Sequence, residues 1–185
     1  MQLSKLARLA LVLGIVMINV GCDQITKSIV REKIDEYEQI ELIGENFILT
    51  KVENTGAFLS AGSGLSPALR KVTLVILPGI VMLLLLGMVA FRDKIETPVI
   101  FFMCFMIGGG IGNLIDRVAY GSVTDFLHID LGLVRTGVFN MADMSIMFGG
   151  IGILIYSWRQ KAKQKAEEKP GETSGEKSEE NTGEL

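Results

Sequence analysis

Four stretches of this chain are apolar all round, and each comes close to the roughly 20 residues that a helix needs to cross a bilayer. The clearest, residues 72–91, reads VTLVILPGIVMLLLLGMVAF, with no charge and one proline. Residues 98–115 are nearly as apolar and run into GNLIDR; residues 138–158 carry Asn140 and Asp143 near their start. The shortest, about residues 6–24, counts as a span only if Asn19 and Asp23 are taken in with it. Between the first two lies YEQIELIGENFILTKVENTGAFL, whose β-branched and aromatic residues partly alternate and are broken by Gly44 and Gly56. That pattern predicts a short hairpin or small sheet at the membrane surface. The expected fold is therefore mainly α: a polytopic membrane protein of four transmembrane helices, with a small extracytoplasmic β-containing cradle between helices 1 and 2. Residues 1–158 form one integral-membrane domain in this reading. Residues 159–185, rich in Glu, Lys, Gly and Ser without apolar periodicity, form a disordered charged cytoplasmic tail.

Charge orients the spans. Lys5 and Arg8 precede the first, Arg92 and Lys94 separate the second from the third, and Arg159, Lys161, Lys163 and Lys165 follow the fourth. With four spans all three groups share a side, which the positive-inside tendency makes cytoplasmic, together with both termini. Arg70, Lys71 and Arg117 fall on the other side and break the pattern. Composition agrees with a membrane protein: 49% of the 185 residues are hydrophobic and the mean hydropathy is +0.40. Much of the acid sits in the last twenty residues while the basic residues cluster at the ends of apolar runs, so the formal net charge of −3 implies no nucleic-acid partner. Cys22 and Cys104 both sit in apolar segments, which gives no disulfide framework. A single histidine, His128, leaves no His pair for a metal site and no second base for a Ser-His or Cys-His hydrolase.

The first 22 residues also have the shape of a lipoprotein signal peptide, with a basic start, an apolar middle and Gly-Cys at the end. Two features argue against cleavage there. Asn19 stands three places before Cys22, where an aliphatic residue is usual, and three more spans follow. Cys22 reads better as a small residue in a helix.

Ionisable residues within spans cost about 2.5–3.5 kcal/mol each on insertion scales and mark function. Asp23 and Lys27 are one helical turn apart and can pair. Asn113, Asp116 and Arg117 close the third span, and Asn140 and Asp143 open the fourth with the same Asn-x-x-Asp spacing. The glycines of GGGIGN and FGGIG offer small surfaces for close helix packing. Asp116 is followed at once by Arg117, which suits a structural ion pair. Asp125, beside Val123 and Phe126, and Asp143, among Met141, Ala142 and Met144, have no adjacent cation. Brought together in such surroundings, two carboxylates share one proton and can serve as general base and general acid. A proton-relay or transporter subunit also places acids at helix ends, but no inverted repeat of broken helices is evident.

In order, DQITK (23–27), NTGAF (54–58), GNLIDRVAYGSVTDF (112–126) and FNMAD (139–143) resemble the motifs of the bacterial lipoprotein signal peptidases, the signal peptidase II family. The resemblance implies an intramembrane aspartyl peptidase, which removes the signal peptide of a diacylglyceryl-modified prolipoprotein just before the lipidated cysteine. It makes Asp125 and Asp143 the catalytic dyad and Asn54, Asn113, Arg117 and Asn140 polar residues around the substrate. Asp23, Lys27, Gly56 and Asp116 become supporting positions. It implies no metal or other cofactor. The partners it implies are lipid-modified prolipoproteins and membrane lipid, acted on by a monomer in the bacterial cytoplasmic (inner) membrane with the site near the extracytoplasmic face. Two departures stand out: Phe58 follows Ala57 directly, and Thr124 replaces the valine common before the catalytic aspartate. His128 is expected to be a polar loop residue.

Overall fold

The computed structural model describes residues 4–56, 64–92 and 94–167. Residues 57–58, where one departure falls, and residues 168–185 of the expected tail lie outside them. Among the described residues four helices are long and apolar enough to cross a membrane. The first, α1 (Lys5–Lys33), opens on Ser4, whose hydroxyl accepts a hydrogen bond from the Ala7 N–H. It continues past the expected end near residue 24. The reason lies in one stripe: Arg8, Val12, Val16, Asn19, Asp23, Lys27 and Val30 are all buried. Their spacing of four, four and three residues keeps them on a single helix face. Hydropathy registers only its apolar middle, whereas the fold buries the polar upper part as well.

The second span is a continuous helix in three parts, α2 (Pro67–Lys71), a wider-wound turn (Val72–Ile76) and α3 (Leu77–Phe91). The Leu77 N–H reaches back five residues to Val72 O, just before Pro78, which has no N–H to give. Helix α4 (Thr97–Ala119) is the hub, packing against α1, α3 and α5. Of its apolar window 44% is buried, against 6% for Pro67–Phe91, so the latter faces lipid almost all round. The core between α1, α3 and α4 consists of Val12, Val16, Val89, Ile100, Met103, Cys104 and Ile107. Helix α5 (Met141–Glu167) runs nine residues beyond Trp158, into what was expected to be disordered tail. Tyr156 and Gln160 both hydrogen-bond Glu96, the residue that precedes α4, and so anchor this part of α5 to the bundle.

Glycines set the closest contacts. A Cβ on Gly109 would collide with Ala142 O, and one on Gly112 would lie 2.5 Å from an Asp23 carboxylate oxygen. Gly87 has nothing within 4 Å. Gly109→Ala is therefore expected to destabilise the protein by about 1–3 kcal/mol through overpacking. Gly87→Ala should stabilise it by up to about 1 kcal/mol from helix propensity. Paired thermal melts in one detergent check the contrast.

The sheet differs from the expectation in one respect. β1 (Gln39–Ile43) and β2 (Phe47–Asn54) form the expected hairpin, turning through Gly44 at φ +54°. A third strand, β3 (Val123–Ile129), comes from the connection between α4 and α5 and pairs antiparallel with β2, giving the order β1-β2-β3. His128 lies in this strand opposite Ile48 rather than in a loop. Apolar alternation is weak in SVTDFLHI because Val123, Thr124, Asp125 and Phe126 are all buried.

Candidate active site

One end of the bundle gathers the polar residues. Lys27 is wholly buried and spends its three donors on Asp23 Oδ2 at 2.8 Å, Asp116 Oδ2 at 2.9 Å and Asn113 Oδ1 at 2.9 Å. Arg31 adds a second cation, 2.8 Å from Asp116 Oδ1, and its guanidinium stacks 4.0 Å from the Tyr120 ring centre. Two cations thus face two buried carboxylates, which leaves this cluster neutral. Gln24 bonds both acids, at 3.1 Å and 3.0 Å, and Asp23 Oδ1 accepts the Ala142 N–H at 2.9 Å. The DQITK segment therefore clamps α1 to α4 and to the first turn of α5. Asp116 does form structural ion pairs, but with Lys27 and Arg31 rather than with its neighbour Arg117.

Arg117 turns the other way. It donates to Asn113 O at 3.4 Å and to Gly56 O at 3.2 Å. Gly56 in turn gives its N–H to Asn54 Oδ1 at 3.0 Å, so the end of β2 is pinned to α4.

The two Asn-x-x-Asp repeats, alike in sequence, do different work. At 140–143 the spacing is a capping box: Asn140 Oδ1 accepts the Asp143 N–H at 3.0 Å, and Asp143 Oδ2 accepts the Asn140 N–H at 3.1 Å. At 113–116 it lies within α4 and divides its bonds between two neighbours: Asn113 Nδ2 donates to Asp143 Oδ1 at 2.8 Å, and Asp116 holds Lys27. Asp125 reaches the same place from the sheet. Phe139 pairs with Leu127 of β3 through hydrogen bonds of 2.8 Å in both directions, which sets Asn140 beside Asp125.

Asp125 Oδ1 accepts from Asn140 Nδ2 at 2.6 Å, and its Oδ2 accepts from Asn54 Nδ2 at 3.0 Å. Asn140 Nδ2 also reaches Asn113 Oδ1 at 3.1 Å. A chain of amides consequently runs from Asp125 through Asn140 and Asn113 to Asp143, and both oxygens of each carboxylate are held. Asp125 is only 4% exposed. Its burial, reinforced by the charge of Asp143, pushes its pKa up from 3.8 to about 6, while the Asn54 and Asn140 hydrogen bonds pull the other way. Two amide side chains, Asn54 from the end of β2 and Asn140 from just before Met141, hold the carboxylate between its apolar sequence neighbours.

The structure brings Asp23, Lys27, Asn54, Gly56, Asn113, Asp116, Arg117, Asp125, Asn140 and Asp143 into one connected network. Gln24 belongs to the DQITK motif, but two further members had no signal of their own: Arg31 is an ordinary residue for a helix end, and Glu53 sits in an unremarkable strand. Arg31 Nε donates to Thr124 Oγ1 at 2.7 Å, and Thr124 donates to Glu53 Oε1 at 2.7 Å, while Glu53 also accepts from Ser122. The threonine that stands where valine is common thus links α1 to β2. Thr124→Val is expected to cost about 1–3 kcal/mol of stability by stranding these partners, with cleavage kinetics little changed. Thermal melts alongside turnover check it.

The sequence model of signal peptidase (SPase) II matches residues 15–159. The chain is 38% identical over 136 residues to the lipoprotein signal peptidase of Treponema denticola, covering 71% of this chain and 79% of that one. It is 32% identical over 156 residues to the lipoprotein signal peptidase of Desulforapulum autotrophicum, covering 84% and 94%. Two solved structures, each of a bacterial membrane enzyme obtained by the in meso method, share the fold. The one at 2.3 Å has a TM-score of 0.72 at 23% identity over 93% of this chain and 94% of that one. The one at 1.9 Å has a TM-score of 0.69 at 26% identity over 78% and 90%.

Proposed function

The chain belongs to the signal peptidase II family and is a membrane protease that removes the signal peptides of lipoproteins; from that premise we propose that Asp125 and Asp143 are its catalytic dyad. The observation that carries this is the amide chain joining the two carboxylates at the bundle end. The other acids there, Asp23 and Asp116, are neutralised by Lys27 and Arg31 and so are unsuited to moving protons.

In this mechanism the signal helix and its diacylglyceryl cysteine enter from the bilayer, where lipid and side chains are already solvated. The dyad holds a water between its carboxylates. One carboxylate takes a proton from it as it attacks the scissile carbonyl just before the lipidated cysteine, and the other protonates the leaving nitrogen. Asn54, Asn113 and Asn140 fix the carboxylates before substrate arrives, so little reorganisation is needed during reaction. Arg117 and Gly56 hold the end of β2 against the site, and the sheet supports the exposed part of the substrate. A single chain supplies every one of these groups. In this reading both termini lie in the cytoplasm and the site at the extracytoplasmic face of the bacterial cytoplasmic membrane, which the cation distribution supports.

Two experiments test the proposal. Purified protein in detergent should cut a prolipoprotein carrying its diacylglyceryl group and leave the unmodified precursor whole; equal cleavage of both would refute lipid recognition. The second is a pH profile. With the shared proton on Asp125, the singly protonated dyad predominates below that residue's raised pKa of about 6 and loses its proton above it. The kcat/KM of the free enzyme is therefore expected to fall as pH rises through about 6. The kcat should hold to higher pH, because bound substrate excludes water and favours the neutral acid. A kcat/KM that stays flat between about pH 5 and 8 contradicts the shared proton.

A further inference from the structure

Arg70, Lys71 and Arg117 break the charge asymmetry of the sequence, and the fold gathers all three around one pocket of about 400 Å³ at the site end of the bundle. Apolar residues complete much of the lining: Leu74 and Val75 from the second span and Val118 from α4. No described lining residue is a carboxylate. Arg117 uses its two terminal nitrogens on the backbone carbonyls of Asn113 and Gly56, and its Nε is buried with no hydrogen-bond partner among the described residues. Lys71 is exposed at the rim. Arg117 also faces the carboxylates of Asp143, Asp125 and Asp116, so the pull on an anion comes mainly from Arg70 and Lys71, and Val118, 69% exposed on a membrane-spanning helix, adds apolar surface to the same pocket.

We propose that this pocket binds the phosphate of an anionic phospholipid from the leaflet on the site side, with the acyl chains lying over Leu74, Val75 and Val118. An ammonium-bearing zwitterionic headgroup fits worse, because its cation would meet Arg70 and Lys71. The site goes beyond the peptidase chemistry and does not rest on it; only the membrane placement of the spans is used. Arg117 joins the two regions, since the guanidinium at the pocket also holds Gly56 and, through it, the Asn54 side chain. A bound headgroup would therefore fix the strand end that supports Asp125.

Native mass spectrometry of the full chain in detergent, titrated with phosphatidylglycerol or phosphatidylcholine, tests the proposal without any cleavage step. One phosphatidylglycerol is expected to bind at concentrations where phosphatidylcholine does not. Lys71→Gln should weaken it by about fivefold, and Arg70→Gln with Lys71→Gln by roughly 25-fold, as expected for about one surface charge lost at each position. Glycerol 3-phosphate, which has the phosphate without chains, should not compete. Equal binding of the two lipids, or undiminished phosphatidylglycerol binding in both variants, overturns the site. Competition by glycerol 3-phosphate as strong as by the lipid overturns the lipid assignment in favour of a soluble phosphate.

Discussion

Asp125→Asn and Asp143→Asn are each expected to lower kcat/KM for a lipid-modified prolipoprotein by about 10³-fold or more, because each removes a group that must take up or give up a proton. Both should still fold, since asparagine keeps the shape of the side chain, at a cost of about 1–3 kcal/mol because its NH2 meets a donor where a carboxylate oxygen accepted. The two effects should also fail to add. Once one carboxylate is gone the other has no partner with which to share a proton, so the double variant should be scarcely slower than either single one. Asp116→Asn supplies the contrast. That carboxylate is held by Lys27, Arg31 and Gln24, and its loss should appear in stability before it appears in turnover. If Asp116→Asn abolished cleavage in a fully stable protein while Asp125→Asn did not, the assignment of roles would be reversed.

Lys27→Met should be the most damaging single change to stability. Lys27 is completely buried and holds Asp23 and Asp116, both also completely buried, together with Asn113. Without it, one cation, Arg31, faces two carboxylates in a place that water does not reach. Breaking a buried pair in this way costs about 3–5 kcal/mol, and in a chain of this length that lowers Tm by about 10 °C. A thiol-reactive dye on buried Cys104, in a background where the exposed Cys22 is replaced by alanine, would report the transition. Asp23 also caps the first turn of α5 through the Ala142 N–H, and Asp143 belongs to that same turn, so activity should fall with stability. An unchanged Tm would mean that the cluster contributes no net stability.

The four spans were legible because lipid demands long unbroken apolar helices, and no packing detail is needed to see them. Their ends were not. Residues 25–33 continue α1 because Lys27 and Val30 extend a buried stripe that begins at Arg8, and a stripe with charged members is invisible to hydropathy. The end of α5 was misjudged for a related reason: the Glu96, Tyr156 and Gln160 contacts that anchor it join residues about sixty positions apart. β3 does not show in the sequence because its first four residues, Val123–Phe126, are buried on both faces, so the two-residue alternation that reveals a half-exposed strand is absent there. Within the site, Asp23, Lys27, Asn113, Asp116, Arg117, Asn140 and Asp143 stand out by their place at the ends of spans, whereas Asn54 and Gly56 are named only through the family resemblance. Their partners do not stand out, as the Asp116 case shows: its ions come from α1, more than eighty residues away, and not from the adjacent Arg117. Sequence proximity sets which residues share a helix face; only the crossing of α1 over α4 decides which charges meet.

The most direct test of the dyad is the intact mass of the products formed when a diacylglyceryl-modified prolipoprotein is incubated with the purified protein and, in parallel, with the variant carrying both Asp125→Asn and Asp143→Asn. The unaltered protein is expected to release a lipidated product whose first residue is the modified cysteine, and the double variant, shown to be folded by a cooperative thermal melt above the assay temperature, to yield none. Product of the same mass formed at a comparable rate by the double variant would contradict the dyad.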